Sequence, residues 1–331
     1  MPAPTSQLRT LRPELSTFEQ LDREMQLRGY IATRLMPAFN VGVASATFSV
    51  IALKSLLASA SADTKRTSTG GYNRGEYEFD ERSYQTKENG WEEPVDDREE
   101  AMYGNFFALE EIAAYRAWEH LLNSLEARVL NKVITATVTA GQTTAATALW
   151  TDFAASKPID DVQTAQDQVW LRTGIWPETL AVSRRSYRNL RRSAQIIAEV
   201  RSEGAGQSSA QVRVTDAILA DVLNVKEIVV SDAIKNTANL GQNVAIASVF
   251  PETQAVLLKA AETPDFKEPS FGRVFHWGGD GSQIGDDERT IGVVEDYEDP
   301  STRKTIIRAR HETDEFVLYP EVAEVITGVS A

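Results

Sequence analysis

The chain has 331 residues, 42% of them hydrophobic and 25% charged, the balance of a folded globular protein with room for two domains. It contains no cysteine, which excludes disulfides and thiolate metal sites. Lys and Arg number 34 against 48 Asp and Glu, a net charge of −14. Tracking a phosphate backbone needs clustered cations, so the acidic balance reads first as solubility.

The first residues, MPAPTSQLRTLRPEL, carry no apolar run of the kind a signal peptide needs. Residues 1–40 read as an arm: Leu15, Phe18, Leu21, Met25 and Leu27 give a short amphipathic helix after Ser16 with little beside it to pack on. Val41–Leu53 is the most apolar stretch, but at about 13 residues it falls short of the ~20 of a membrane helix. From residue 41 to 96 the pattern is a long β-hairpin. Small and β-branched residues fill its first limb, and residues 58–75 are a polar tip with Gly70, Gly71 and Gly75 as turn residues. In the return limb Tyr77 and Phe79 alternate with Glu76, Glu78 and Asp80, and Glu88-Asn89-Gly90 ends it. A two-stranded hairpin alone is marginal in water, so this one needs a surface to lie on.

The longest helical pattern covers Asp97–Val133. Pro94 precedes it, Asp96 or Asp97 can cap it, and Glu99 and Glu100 suit the positive end of the helix dipole. Met102, Phe106, Leu109 and Ala113 recur at helical spacing, and Trp118, Leu121, Leu125 and Val129 continue the stripe; Gly104 is the weak point. About 30 residues at ~1.5 Å each make a rod of ~45 Å, a spine between dissimilar flanks.

Thr135–Ala148 reads as a link. Short strands and helices then alternate to about residue 260. Pro158-Ile159-Asp160 opens a helix with Val162, Ala165 and Val169 on one face and Gly174 at its end. Leu180–Val182, Ile228–Val230, Val244–Ile246 and Ala255–Leu258 read as strands. Tyr187, Leu190, Ala194 and Ile197 mark one helix, and Thr215 caps another. After residue 262 the chain turns to β: Phe271–Trp277, a Gly278–Gly281 turn, a hairpin of Ile291–Tyr297 with Thr305–His311, a strand at Phe316–Leu318, and Val322–Val325 to close. No repeat of fixed period is present.

Chemistry is sparse. His120, His276 and His311 lie far apart with no HExxH spacing and read as structural. No phosphate-cradling glycine motif is present; Gly204-Ala205-Gly206 follows a helix and lacks a third glycine. Asp280, Asp286, Asp287 and Glu288 miss the calcium-loop spacing and read as a solvated turn. Glu92–Glu100 could supply paired carboxylates for glycoside cleavage, and Trp170 with Trp176 a sugar platform. Capping, solvation and packing are the simpler accounts. The expectation is no catalytic, cofactor-binding or metal residue.

The order of elements, together with Gly90–Asp97 leading into the spine, Pro158–Asp161, Gly174–Leu180, Leu219–Val230 and Phe271–Trp277, resembles the major capsid proteins of tailed bacteriophages with the Hong Kong 97-type fold. That resemblance implies an α+β chain with an N-terminal arm (1–40), an extended β-hairpin loop (41–96), a peripheral domain with the spine helix (97–148 and 263–331, its C-terminal end allowed to be axial) and an α/β axial domain (149–262). It implies assembly in the host cytoplasm, as pentamers and hexamers, into the icosahedral head shell of a virion. That shell encloses double-stranded DNA without sequence-specific binding and without a membrane. Implied partners are a separate scaffolding protein (unless the chain is already the mature form), a portal and a decoration protein. Some relatives cross-link a loop Lys to a peripheral Asn; Lys65, Lys87 and Asn131 are available here, and nothing in the sequence selects them. An encapsulin-like shell around protein cargo is the alternative. A glycosidase is the unrelated one.

Overall fold

A computed structural model describes residues 10–11, 29–53, 65–66, 70, 72, 78–103, 108–203, 214–239, 241–263, 265, 268–285 and 291–330. The expected arm helix, most of the hairpin tip, Gly204 to Gly206 and Asp286 to Glu288 lie outside these residues.

The longest element is one helix, Leu109–Thr139, of 31 residues, about 46 Å at ~1.5 Å per residue. Its length matches the expected spine, but its position does not. A separate short helix spans Asp97–Tyr103, with the Arg98 N–H donating to Asp96 Oδ1 at 2.9 Å. Ala108, at φ −78° and ψ 87°, is not helical, so the long helix starts afresh at Leu109. It then runs on through the threonines expected to form a link. Thr137 Oγ1 donates to the Val133 carbonyl at 2.7 Å and Thr135 Oγ1 to Asn131 Oδ1 at 3.1 Å. Hydroxyls that would compete with the helix are thus satisfied inside it, and burial of Val133 and Thr137 outweighs weak propensity. Trp118, Leu121, Leu125 and Val129 form the buried stripe as expected, whereas Met102 is exposed.

Two sheets flank this helix. The larger has the order Thr10–Leu11, Ile291–Asp299, Lys304–Val317, Gly272–Trp277, Ala38–Val41, with Gln283–Ile284 added on Ile291–Asp299 and Lys87–Asp96 added on Lys304–Val317. The strand expected at Phe316–Leu318 is the end of the 14-residue Lys304–Val317. The return limb does not end at Gly90 either. Lys87–Asp96 is a full strand, antiparallel to Lys304–Thr313. Pro94 is tolerated there because the strand is paired along one edge only, where a missing N–H costs little.

The smaller sheet has the order Thr143–Ala145, Ala323–Thr327, Gln254–Leu258, Thr179–Ser183, Glu227–Ser231. The end of the chain therefore pairs inside the α/β module. Helices Pro158–Thr173, Arg184–Leu190, Ala194–Glu203 and Asp216–Val222 belong to this half. The first ends on Gly174 at φ 70°, a left-handed position that glycine takes without a Cβ clash. The single helix expected over Tyr187–Ile197 is two. The chain turns at Arg191–Ser193, and the Ala194 N–H is taken by the Phe153 carbonyl at 2.8 Å. Ile246–Ser248, shifted from the expected Val244–Ile246, pairs with Ile234–Asn236 as a small separate hairpin.

Residues alternate across the strands as the pleat requires. Leu180, Val182, Ala255 and Leu257 face the helices, while Ala181, Val256, Leu258 and Val325 join the core that includes Leu125, Val129 and Val133 of the spine. Further back on the spine, Ala113, Ala117, Trp118 and Leu121 pack on Val294, Ile307 and Ala309 of the large sheet. Ile31, Leu35 and Met36, expected to belong to an arm, are fully buried in the shared core. Ala38–Val41 beyond them is a parallel strand beside Gly272–Trp277.

Candidate assembly surfaces

The hairpin is the element that needs explaining, because it forms a two-stranded sheet of its own. Its limbs are Ser45–Ile51 and Phe79–Gln85, paired antiparallel from Ser45 opposite Gln85 to Ile51 opposite Phe79. An aromatic cluster fixes its base. Phe48 sits 5.3 Å from Phe316 and 6.2 Å from both Tyr84 and Phe275, and Tyr84 lies 4.9 Å from Phe275. Edge-to-face pairs of this kind add about 1 kcal/mol each beyond the area they bury. Polar clamps reinforce it. Arg82 Nη1 donates to the Leu318 carbonyl at 2.6 Å, Tyr319 Oη to the Ile51 carbonyl at 3.0 Å, and Thr86 Oγ1 to Glu312 Oε1 at 2.6 Å. Asp314 Oδ2 accepts the Gln85 N–H at 3.1 Å, yet burial still pushes its carboxyl above the usual range. The opposite face of the pair is open: Ser45, Thr47, Ser49, Glu81 and Ser83 are exposed, and Phe79 is 61% exposed.

Other large apolar side chains are exposed elsewhere: Trp170 and Leu171 on the Pro158–Thr173 helix, and Ile234, Val244 and Ile246 at the small hairpin.

The three histidines and two of the carboxylates considered for chemistry have structural partners. His276 Nδ1 lies 2.8 Å from Asn40 Oδ1 and its Nε2 2.8 Å from Ser282 Oγ. His311 sits between the Ile291 carbonyl and Arg128, and His120 stacks on Trp91 at 4.4 Å. Glu92 pairs with Arg308 and accepts from Tyr297 Oη; Glu93 accepts from Trp91 Nε1. Lys87 stands opposite Thr313 in the large sheet, and Asn131 accepts from Thr135 Oγ1. Among the described residues no group of three His, Asp or Glu could hold a metal ion, and no helix is long and apolar enough to cross a membrane.

Two features had a signal in the sequence that periodicity alone did not raise. Glu126 lies in the spine's apolar stripe and is buried, its Oε2 accepting the Ile31 and Ala32 N–H groups at 3.0 and 2.7 Å. Arg184, Arg185, Arg188, Arg191 and Arg192 crowd nine residues of an acidic chain.

No protein-family model and no curated protein sequence matches the chain. Solved structures do. A phage-related protein of Bordetella bronchiseptica is similar at a TM-score of 0.66 and 18% identity, covering 97% of this chain and 98% of that one. The capsid of the cyanophage P-SCSP1u is similar at 0.54 and 13%, covering 90% and 87%. The fold is the Hong Kong 97-type capsid fold. That fold is shared by the SrpI encapsulin of Synechococcus elongatus, similar to this chain at 0.51 and 12%, covering 90% and 86%.

Proposed function

We propose that the chain is the major shell subunit of a tailed-phage head, a structural protein rather than an enzyme. Copies associate as pentamers and hexamers into an icosahedral shell around double-stranded DNA. The module on the five-stranded sheet gathers at the symmetry axes, and the large sheet with the spine lies at the periphery. The observation that carries this reading is the similarity of nearly the whole chain to a phage-related protein and a phage capsid. The open hairpin face and the exposed Trp170, Leu171, Ile234 and Ile246 fit it, since each is surface that a neighbour would cover. Repeated contacts of roughly 1,200–2,000 Å² would let many modest interfaces hold one shell. A scaffolding protein, a portal and a decoration protein are the expected partners, with assembly in the host cytoplasm before the virion is complete.

Expression of the full chain, alone and with a candidate scaffold, tests this by negative-stain microscopy. Closed icosahedral particles are the expected outcome. A compact monomer at every concentration, with or without scaffold, sinks the reading. The likeness to an encapsulin favours a second reading, a shell around protein cargo. Nuclease-protected duplex DNA inside purified particles supports the first, and a co-purifying enzyme in cells without phage genes supports the second.

A further inference from the structure

Strands Thr179–Ser183 and Glu227–Ser231 run parallel and end on the same edge of the small sheet. Ser183 Oγ accepts the Ser186 N–H and starts helix Arg184–Leu190 there. Outside this edge lies a groove of about 1040 Å³. One wall carries Arg184, Arg185, Arg188, Arg191 and Arg192, and Ile234 and Ile246 of the small hairpin line it as well. Those two isoleucines are 57% and 66% exposed.

The arginines are not equivalent. Arg184 pairs with Asp232 at 3.1 Å and Arg185 with Glu252 at 2.8 Å. Arg191 lies over the Tyr187 ring, whose hydroxyl donates to Asp216. Arg192 lies 4.8 Å from the centre of the Phe153 ring. Among the described residues neither Arg188 nor Arg192 pairs with a carboxylate, and both are exposed. Two cations are thus held beside open apolar surface in a chain of net charge −14.

We infer that this groove is a docking site for a second copy of the chain, which presents carboxylates to Arg188 and Arg192 while its apolar atoms cover Ile234 and Ile246. The inference rests on the shell-subunit reading and names one of its interfaces. Charge decides the occupant. A copy of this chain carries more carboxylates than cations, 48 against 34, which suits two guanidinium groups that no carboxylate among the described residues pairs. A phosphate backbone fits less well, because it brings no apolar atoms to cover Ile234 and Ile246 in the same groove. Arginine beside exposed aliphatic side chains is the composition of a protein–protein interface core.

The test uses full-length chain, wild type beside R188E/R192E and R188K/R192K. All three should unfold at similar temperatures, since these side chains are exposed. R188E/R192E should associate about tenfold or more weakly in sedimentation and form few closed particles, while R188K/R192K assembles. In a mixture of isotopically light and heavy copies, carbodiimide should couple the new amines of R188K/R192K to carboxylates of the other copy. Assembly of R188E/R192E indistinguishable from wild type overturns the inference. So does retention of wild type, but not R188E/R192E, on a short DNA duplex at physiological salt, which would make nucleic acid the partner. Wild type that never associates removes the shell reading itself, a different failure from a wild type that assembles and a glutamate variant that does too.

Discussion

Glu126 shows how one residue can tie three elements. Its carboxylate sits on the spine, takes the Ile31 and Ala32 N–H groups at the start of the Ala32–Leu35 turn, and lies beside Ser231 of the small sheet. Burial raises its pKa from 4.5 to about 7, against the lowering effect of the two backbone donors. The Ser231 hydroxyl acts with those donors in favour of the ionised form, and burial outweighs all three. A carboxyl whose folded pKa is raised favours the protonated folded state. Its contribution is complete below about 4.5 and is lost as pH rises through about 7, up to roughly 3 kcal/mol. Denaturant unfolding near pH 5 and near pH 8 should show this loss in wild type and not in E126Q, which keeps an acceptor for both N–H groups. Equal pH slopes in the two proteins would sink the assignment. Gly292 is a second such point. Its φ is 148°, and a Cβ there would lie 2.5 Å from the Trp118 ring. Gly292→Ala should therefore cost about 3 kcal/mol, read as a lower denaturation midpoint with unchanged slope; a loss within about 0.5 kcal/mol would mean the helix and sheet can separate freely there.

At the scale of elements, what the residues announce locally was legible and what depends on distant partners was not. The Pro158–Thr173 helix could be read to within a residue, because its proline start, its Val162, Ala165, Val169 face and its Gly174 stop are all local signals. The spine's start could not. Residues from Asp97 to Leu109 have helical composition, and only the backbone of Ala108 reveals the restart. The lengths of Lys87–Asp96 and Lys304–Val317 were hidden for another reason: each is stabilised by the other, more than 200 positions apart in sequence. The hairpin's rigid base was hidden in the same way, since Phe48 and Tyr84 find Phe275 and Phe316 only in the fold. This base sets what a deletion should do. Replacing residues 54–77 with a short glycine turn leaves both limbs and the aromatic cluster in place. The product should stay folded, with near-wild-type circular dichroism, and should fail to close shells in electron micrographs. Normal particles would refute the role given to the loop.

For the whole molecule, the two sheets share a core instead of owning one each. Phe271, Val274 and Ile291 of the large sheet or its flanks meet Val256, Leu258 and Val325 of the small one around Leu125, Val129 and Val133. Neither half buries that surface without the other, so calorimetry of the free subunit should show one cooperative transition. Two well-separated transitions would mean the halves fold independently. The architecture was readable from the order of elements, while the arginine groove and the Glu126 contact required the packed structure. Charge counted over 331 residues averages such a patch away, and a lone glutamate in an apolar stripe looks like noise until its partners are seen.

The unbroken helix Leu109–Thr139 is gripped near one end by the large sheet and near the other by the core shared with the small one. It therefore acts as a leaf spring. Any pivot of one half against the other flexes the rod, because a helix of regular hydrogen bonds bends smoothly and resists a sharp knee. A proline at Asn123, between the two grips, would install such a knee. Amide exchange in Asn123→Pro should then rise along Leu121–Val129 while the far ends of the rod keep their protection. Unchanged exchange there would show that the rod carries no load.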